Sequence, residues 1–356
     1  MGLSPTKLTD LASRLYAAAG LDEEKATVTA QLLVLTDMLG RSTHGLAQCD
    51  AYLKEITAGR MTCDGEPEVV ADRGNTIVWD GGYRPGLWLI DRALRLALSR
   101  IDEHGVVTMA IRKSHHIGCL AALAKAATDR GCLVILASSG PHTKAAAPFG
   151  GKAALFSPNP FAVGIPTSRD PMLVDFTASL ATVSAVREAV AGGTELERPW
   201  LLDHDGKPTR DPRVLEVAAE RGSLMLLGGM EAGHKGFGLA LIVEALTQGL
   251  SGHGRLDAPT RWGASVFLQL IDPHAFAGRD AFTAQMDFFA DQCRASPAID
   301  PDRPVRLPGD QAAKNIAKAK REGLALAPTT IASLRSWADR LRIDASALTS
   351  AVVALA

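Results

Sequence analysis

Two adjacent histidines, His115 and His116, follow the apolar segment VVTMAIR and are well suited to proton transfer. Imidazole titrates near neutral pH, so either ring could exchange a proton with a carbonyl or alcohol oxygen. Successive side chains on an extended backbone face opposite ways, which lets one histidine enter a cleft while its neighbour stays in the core. The same geometry disfavours a shared metal ion, and no HxxxH or HExxH pattern is present. A structural role is the commoner fate of a single histidine, but the pair at a strand end favours an acid or base and no catalytic metal.

A second polar segment, GRSTHG at 40–45, places the Thr43 hydroxyl beside His44 between two predicted helices. Ser42 or Thr43 could simply cap the following helix, which is the simpler interpretation of the segment taken alone. A hydroxyl next to an imidazole could equally serve the chemistry proposed for His116.

The segment GGMEAGHKGFG at 228–238 leads into an apolar helix and is the best candidate for a nucleotide site. Glycines permit close backbone approach, a helix N-terminus presents free N–H groups, and Lys235 adds a positive charge, which together suit a pyrophosphate. A glycine-rich turn with a solvated lysine is the alternative. Neither GxGxxG after an early strand nor GxxxxGK[ST] occurs, so a nucleotide would have to bind without those motifs.

Two further segments could contact a ribose or phosphate. Asp175 ends the apolar run MLVDF and precedes Thr177 and Ser179, whose hydroxyls could donate to such a group, although a helix cap is equally plausible. Asn159 lies between two prolines and could instead form only a rigid turn.

These segments are connected by a mixed pattern of helices and strands, which predicts an α/β (α+β) fold. Apolar periodicity predicts helices near 8–19, from Asp22, after Gly45 and at 87–101, 120–130, 236–249 and 282–293, and strands within 68–79, 106–112, 132–139, 159–167, 172–176 and 264–272. The polar, proline-rich stretch 192–228 is expected on the surface as a loop with short elements. Because both ends are helical, we expect residues 1–65 with 311–356 to form a helical oligomerisation module, and 66–310 to form the cofactor- and substrate-binding body, in one or two subdomains.

Composition excludes several classes of partner. The 356-residue chain carries 38 Lys and Arg against 39 Asp and Glu, so it lacks the positive field that nucleic acids or anionic membranes attract. Its five cysteines are spread without CxxC spacing, which favours free thiols and a reducing compartment. The N-terminus lacks a secretory pattern and no stretch approaches the roughly 20 apolar residues of a membrane span. We therefore expect a cytoplasmic protein whose partner is a small molecule.

Eight short motifs, far more specific together than singly, extend over most of the chain. They are GRSTHG at 40–45 with Tyr52, SHHIG at 114–118, APFGG at 147–151, NP at 159–160, DFTAS at 175–179, HKGFG at 234–238, LSG at 250–252 and LPGD at 307–310. In this order they resemble the malate/L-lactate dehydrogenase family, whose relatives include sulfolactate, ureidoglycolate and diketogulonate oxidoreductases and cyclic ketimine reductases. The resemblance implies a non-Rossmann, mostly antiparallel sheet that holds NAD or NADP, a 2-oxo or 2-hydroxy acid substrate, and a homodimer.

The same resemblance assigns roles to individual residues. His116 is expected as the acid/base, with His44 and Thr43 beside the nicotinamide and substrate. Gln48, Tyr52 and Lys144 are expected to contact the substrate. The expected cofactor contacts are Asn159, Asp175, Phe176, Thr177, Ser179, His234, Lys235, Gly236, Pro308, Gly309 and Asp310.

Departures from the family pattern concern the substrate. Many relatives carry an arginine four residues after the histidine of the first motif, suited to a bidentate grip on a carboxylate, whereas this chain has Gln48. Lys144 or Arg41 could supply the missing charge, although either could equally be a solvated surface residue. Two alternatives stay open: reduction of a cyclic imino acid, and a nucleotide-binding protein without catalysis. Retention of His44 and His116 argues against the latter.

Overall fold

A computed structural model describes residues 2–217 and 220–349. The helices are α1 (Pro5–Ala18), α2 (Glu23–Met38), α3 (Cys49–Thr57), α4 (Gly86–His104), α5 (Leu120–Thr128), α6 (Val183–Ala191), α7 (Gly229–Ala232), α8 (His234–Glu244), α9 (Arg279–Ala295), α10 (Asp310–Glu322) and α11 (Pro328–Leu341). The strands are β1 (Glu68–Asp72), β2 (Thr76–Asp80), β3 (Val106–Ser114), β4 (Leu133–Ser139), β5 (Pro160–Ile165), β6 (Met172–Thr177), β7 (Leu201–Leu202), β8 (Pro208–Thr209), β9 (Ser223–Leu224) and β10 (Ala264–Ile271).

Seven strands form the main sheet, in the order β1-β2-β3-β10-β4-β5-β6. Strands β2 and β3 pair in parallel, and the other neighbouring pairs of this sheet are antiparallel. The mixed α/β class and the mostly antiparallel sheet are therefore confirmed. Strand β10 lies at the centre, where Ala264 pairs with Ser114 of β3 and Ser265 with Ser139 of β4. This register brings the chain before β10 next to the segment that follows β3.

Local chemistry explains where the helices begin and end. The Asp22 carboxylate caps α2 by accepting hydrogen bonds from the amides of Glu24 and Lys25, as the acidic start of that segment predicts. Helix α4 ends at Gly105, whose φ of 68° is the left-handed conformation that glycine adopts without strain. After α8 the chain continues through one π turn, Ala245–Gly249, so the predicted helix over 236–249 is present but irregular at its end.

The terminal helices pack on each other and on the sheet. Leu3 pairs with Leu324, and the Trp337 indole donates a hydrogen bond to Asp50 at the start of α3. Side chains of these helices share one buried cluster with the centre of the sheet, including Leu15 of α1 and Met109 of β3. Because the core is continuous, the proposed division between 1–65 with 311–356 and 66–310 stays a prediction. Residues 350–356, at the end of the proposed helical module, lie outside the described residues.

A second, smaller layer contains a three-stranded sheet of order β8-β7-β9. It lies within the stretch predicted as a surface loop with short elements, and it buries its own cluster around Leu201, Leu224 and Phe156. After the last strand of this sheet, β9, the chain continues into α7 and α8. Across the described ranges, no helix is both long and apolar enough to cross a membrane.

Candidate active site

Strand β3 delivers the two histidines to the edge of the core. The His115 amide donates a hydrogen bond to the carbonyl of Arg84, which fixes the first residue after the strand against the chain that enters α4. The His115 side chain is 0% exposed, whereas His116 is partly exposed. The two rings thus differ in exposure as the alternation of an extended chain predicts.

Tyr52, on helix α3, contacts His116 directly. Its hydroxyl lies 2.7 Å from His116 Nδ1, and the Tyr52 side chain is 2% exposed. Burial raises the pKa of Tyr52 well above its usual value, so the phenol stays protonated. The sequence analysis assigns Tyr52 to the substrate, but in the structure its hydroxyl bonds to the proposed acid/base.

His44 also lies beside His116. It lies in a 3-10 turn, Ser42–His44, with its ring centroid 6.0 Å from that of His116 and the rings inclined by 30°. The Thr43 hydroxyl lies 3.0 Å from His44 Nδ1, and Gln48 Nε2 donates to the Thr43 carbonyl at 2.7 Å. Thr43 is therefore engaged with His44 rather than serving as a helix cap.

Trp262, which the sequence analysis does not identify, packs on both adjacent histidines. Its ring centroid lies 5.2 Å from His116 at 30° and 4.8 Å from His115 at 66°. We call His44, Tyr52, His115, His116 and Trp262 the histidine cluster. A lone tryptophan before a strand gives no chemical signal, and only the pairing of β10 with β3 brings it to this place.

Burial dominates the titration of the cluster. It lowers the pKa of His115 to about 4 and that of His116 to about 3, and the positive charges of His44 and His115 lower the latter further. The pKa of His44 is also lowered by burial, while the Asp175 carboxylate opposes the change. The His116 ring is therefore neutral at pH 7 and able to accept a proton.

Asp37, at the end of α2, supports the turn that carries His44 and was also not identified from the sequence. Its carboxylate accepts a hydrogen bond from the Leu46 amide at 2.8 Å, and a Cβ at Gly45 would lie 2.3 Å from that carboxylate. Only glycine fits at position 45 with this carboxylate in place. Burial raises the pKa of Asp37 to about 7, although the bond from Leu46 lowers it.

The edge strand β6 ends close to the histidine cluster. Asp175 accepts a hydrogen bond at 2.9 Å from the amide of Ala121, in the first turn of α5, and its charge acts on His44. The helix start stabilises this carboxylate. Of the predicted cofactor residues, Asp175 is therefore one that the structure brings beside the proposed chemistry.

The neighbouring predicted cofactor residues are engaged within the protein. Thr177 Oγ1 donates to the Ser179 carbonyl at 3.0 Å, and Ser179 Oγ donates to the Ala181 carbonyl at 2.7 Å. Asn159 is fully buried and donates to the Ala240 carbonyl and to Glu244, both on α8. Phe176 is 40% exposed and free to cover a planar group. Cofactor contacts by these residues stay predictions.

His234 and Lys235 are exposed in the first turn of α8, as a phosphate-binding segment requires. Gly236 packs against the chain before α7, since a Cβ there would lie 2.4 Å from the Leu227 amide nitrogen. That amide donates to the Ala178 carbonyl at 2.8 Å. The two predicted cofactor segments, 175–179 and 234–236, are therefore neighbours.

The third predicted segment, Pro308–Asp310, lies at the opposite end of β6. The Pro308 carbonyl accepts from the Leu173 amide at 3.0 Å, and Gly309 adopts a φ of +106° against the Pro171 carbonyl. Asp310 is paired with Arg294 at 2.7 Å. We call the segments 175–179, 234–236 and 308–310 the cofactor track, because they follow one edge strand towards the histidine cluster.

A cleft of about 340 Å³ adjoins the cofactor track and is lined by the APFGG segment and by Gly229, Met230 and Gly233. Glycine backbone lines this cleft, and the exposed Lys235 follows its lining residue Gly233 by two positions, so the residues present fit a phosphate-bearing cofactor. Lys144 is exposed on the loop that Arg255 holds through the Thr143 carbonyl at 2.7 Å. The structure shows no contact that assigns Lys144, among the described residues, to a substrate.

Comparisons with known proteins agree with this geometry. A family model described as malate/L-lactate dehydrogenase matches residues 3–335. The chain is 27% identical over 352 residues to L-sulfolactate dehydrogenase of Methanothermobacter thermautotrophicus, covering 97% of this chain and 98% of the relative. It is 33% identical over 243 residues to (2R)-3-sulfolactate dehydrogenase (NADP(+)) of Chromohalobacter salexigens, covering 68% and 70%. Among solved structures, delta1-piperideine-2-carboxylate reductase of Pseudomonas syringae shares the fold, with a TM-score of 0.83 at 24% identity over 95% of this chain and 99% of that one.

Proposed function

This chain belongs to the malate/L-lactate dehydrogenase family, and from that premise we propose that it transfers a hydride between NAD or NADP and a small 2-hydroxy or 2-oxo acid. The observation that carries the proposal is the 2.7 Å contact between Tyr52 and His116 Nδ1. It engages one nitrogen of the ring, while Nε2 has no hydrogen-bond partner among the described residues and remains free to exchange a proton with a substrate.

His116 acts as the acid/base in this proposal. Nδ1 keeps its proton and donates it to the Tyr52 oxygen, so Nε2 gains and loses the transferred proton. When a hydroxy acid is oxidised, Nε2 accepts the hydroxyl proton, and when an oxo acid is reduced, Nε2 returns it. The nicotinamide cofactor, when bound, supplies or takes up the hydride. Burial lowers the pKa of His116 and so keeps the ring neutral before Nε2 accepts that proton.

The cofactor track would hold the dinucleotide. Lys235 and the first turn of α8 would neutralise the pyrophosphate, and Asp175 would lie between that segment and the histidine cluster. His44, with the Thr43 hydroxyl on its Nδ1, would border the substrate beside His116.

A substrate survey tests the proposal most directly. Lactate, malate, sulfolactate and the matching oxo acids would each be assayed with both cofactors, following nicotinamide absorbance. We expect turnover of at least one acid, with loss of activity in His116→Ala. A survey without turnover, or a His116→Ala variant as active as the wild type, would refute the proposal.

Gln48 favours a second candidate, the reduction of a cyclic imino acid. Its Nε2 is engaged by the Thr43 carbonyl at 2.7 Å, so the side chain offers a neutral oxygen acceptor instead of a guanidinium fork. An acceptor suits a substrate N–H better than a second carboxylate. Cyclic ketimines belong in the same assay, and preference for them over oxo acids would select this alternative.

We further propose a cytoplasmic homodimer. The five cysteines are unpaired in the structure, which suits a reducing compartment. Leu241, Ile242 and Leu250, around the end of α8, are about half exposed and would suit a subunit interface. Light scattering coupled to gel filtration would give twice the 37.5 kDa chain mass if the protein is a dimer.

A further inference from the structure

The Trp262 indole is oriented differently towards each neighbour in the histidine cluster. It stacks on the His116 ring at 5.2 Å with the planes inclined by 30°, and it meets the His115 ring edge-on at 4.8 Å. The Tyr52 ring is 6.0 Å away, inclined by 50°. The ring on which the indole stacks is therefore that of the residue proposed to exchange the proton.

Both chain neighbours of Trp262 are firmly held. The Arg261 guanidinium lies 4.1 Å above the centre of the Tyr83 ring and donates to the Arg60 carbonyl. Gly263 packs so closely that a Cβ would lie 2.8 Å from both the Ser114 carbonyl and the Tyr83 ring. The next residue, Ala264, pairs with Ser114. The indole is thus carried by backbone whose position is set by the sheet.

The His116 ring has the His44 ring beside it at 6.0 Å, and its contacts with Tyr52 and Trp262 constrain different motions. The hydrogen bond between Nδ1 and the Tyr52 hydroxyl locates one ring atom but leaves the ring free to tilt about that bond. A stacked aromatic face opposes this tilt, because tilting would separate the two surfaces or force them together. An aromatic face also stabilises a cation more than an aliphatic side chain of similar size does, which suits a ring that becomes an imidazolium.

We propose that Trp262 is a positioning residue for the acid/base step, and that its stacked indole holds the His116 ring so that Nε2 faces the substrate. This inference rests on the proposed role of His116. It assigns to Trp262 an effect on the rate of turnover, exerted through His116, and no part in binding the cofactor.

The experiment is a double-mutant cycle between the two residues in the full-length protein. Trp262→Met removes the aromatic face at similar polarity, and Trp262→Phe keeps it. We expect Trp262→Met to lower kcat about tenfold with the cofactor KM unchanged, and Trp262→Phe to stay within about threefold of wild type. In the His116→Ala background, Trp262→Met should change the residual kcat by less than about twofold, because the residue through which it acts is gone.

Distinct results separate the two ideas. If His116→Ala alone leaves kcat unchanged, the proposed function fails and the inference fails with it. If His116→Ala is impaired but Trp262→Met matches Trp262→Phe, or lowers kcat equally in both backgrounds, only the role of Trp262 is overturned. Thermal unfolding of each variant checks folding, and Trp262→Leu replaces Trp262→Met if the latter is unfolded at the assay temperature.

Discussion

The histidine cluster and the cofactor track are built on opposite principles. In the cluster, aromatic side chains contact one another directly, and burial sets the protonation of His116. In the track, glycines determine how closely backbone segments approach, while Lys235 is exposed and Asp310 is paired with Arg294. Side-chain chemistry thus belongs to the first region and backbone shape to the second. Substitutions should therefore change the rate of turnover in the cluster, and cofactor affinity or stability in the track.

The largest expected effect is in the cluster. His116→Ala should lower kcat by about 10²–10⁴-fold, because it removes the proposed acid/base, and should leave the cofactor KM within a factor of about two. Steady-state kinetics with both cofactors measures this. His204→Ala removes an exposed imidazole elsewhere and serves as the control. A raised cofactor KM with unchanged kcat would erase the distinction between the two regions.

Tyr52→Phe should have the next largest effect. It keeps the buried ring but removes the hydroxyl that lies 2.7 Å from His116 Nδ1, so kcat should fall about 10- to 100-fold. Tyr16→Phe is a matched control, since Tyr16 is also buried but its hydroxyl bonds to Cys49 at 3.2 Å, a residue outside the cluster. Equal kinetic effects of the two variants would argue that Tyr52 acts only through core packing.

Two glycines on the same helix test the role of backbone shape in the track. Gly236→Ala would place a Cβ 2.4 Å from the Leu227 amide nitrogen and should destabilise the fold by about 1–3 kcal/mol. At Gly238 a Cβ would meet nothing within 4 Å, so Gly238→Ala should stabilise it by about 0.5–1 kcal/mol. Urea unfolding of both variants decides the point. Equal free energies of unfolding would mean that close approach at Gly236 is unimportant.

Lys235→Met should raise the cofactor KM about fivefold and leave kcat nearly unchanged. An exposed cation contributes about 1 kcal/mol to binding an anion, and salt screens that contribution. The difference between variant and wild type should therefore shrink as ionic strength rises. Lys7→Met, an exposed lysine on helix α1, is the control. A salt-independent change in kcat would place Lys235 in the chemistry instead of the track.

The sequence predicts the elements of this fold better than the contacts between them. Apolar periodicity identifies strand β3 and helix α4 close to their observed bounds, because each buries a regular face of its own. His116 is also identifiable, since its motif is local. The hydrogen bond between Tyr52 and His116 joins residues 64 positions apart, and no local pattern specifies it.

The residues that the sequence analysis misses depend on long-range pairing. Trp262 reaches the histidines because β10 pairs with β3, and Asp37 reaches Leu46 because the turn after α2 folds back on that helix. Asp310 is the opposite case, a residue that its motif does identify. The motif predicts a cofactor contact for it, and in the structure its carboxylate pairs with Arg294 of α9. Motif membership identifies a segment, and tertiary packing decides what each of its side chains contacts.

The last prediction is a pH dependence and concerns Asp37, whose carboxylate supports the histidine cluster by accepting a hydrogen bond from the backbone amide of Leu46. Burial raises the pKa of its carboxyl to about 7, against about 4 in an unfolded chain. Between these values the folded protein binds more protons at this site than the unfolded chain does, so Asp37 makes the free energy of unfolding fall as pH rises from about 4 to 7.

Asp37→Asn removes this titration and retains an oxygen that can accept from Leu46. The free energy of unfolding of the variant minus that of the wild type should therefore increase by about 1–3 kcal/mol between pH 5 and pH 8. Comparing the two proteins in the same buffers cancels the opposite trend from the histidines, whose lowered pKa values make stability rise with pH. A difference that stays constant with pH would mean that the buried carboxylate remains charged, and that the turn bearing His44 rests on an ionic contact.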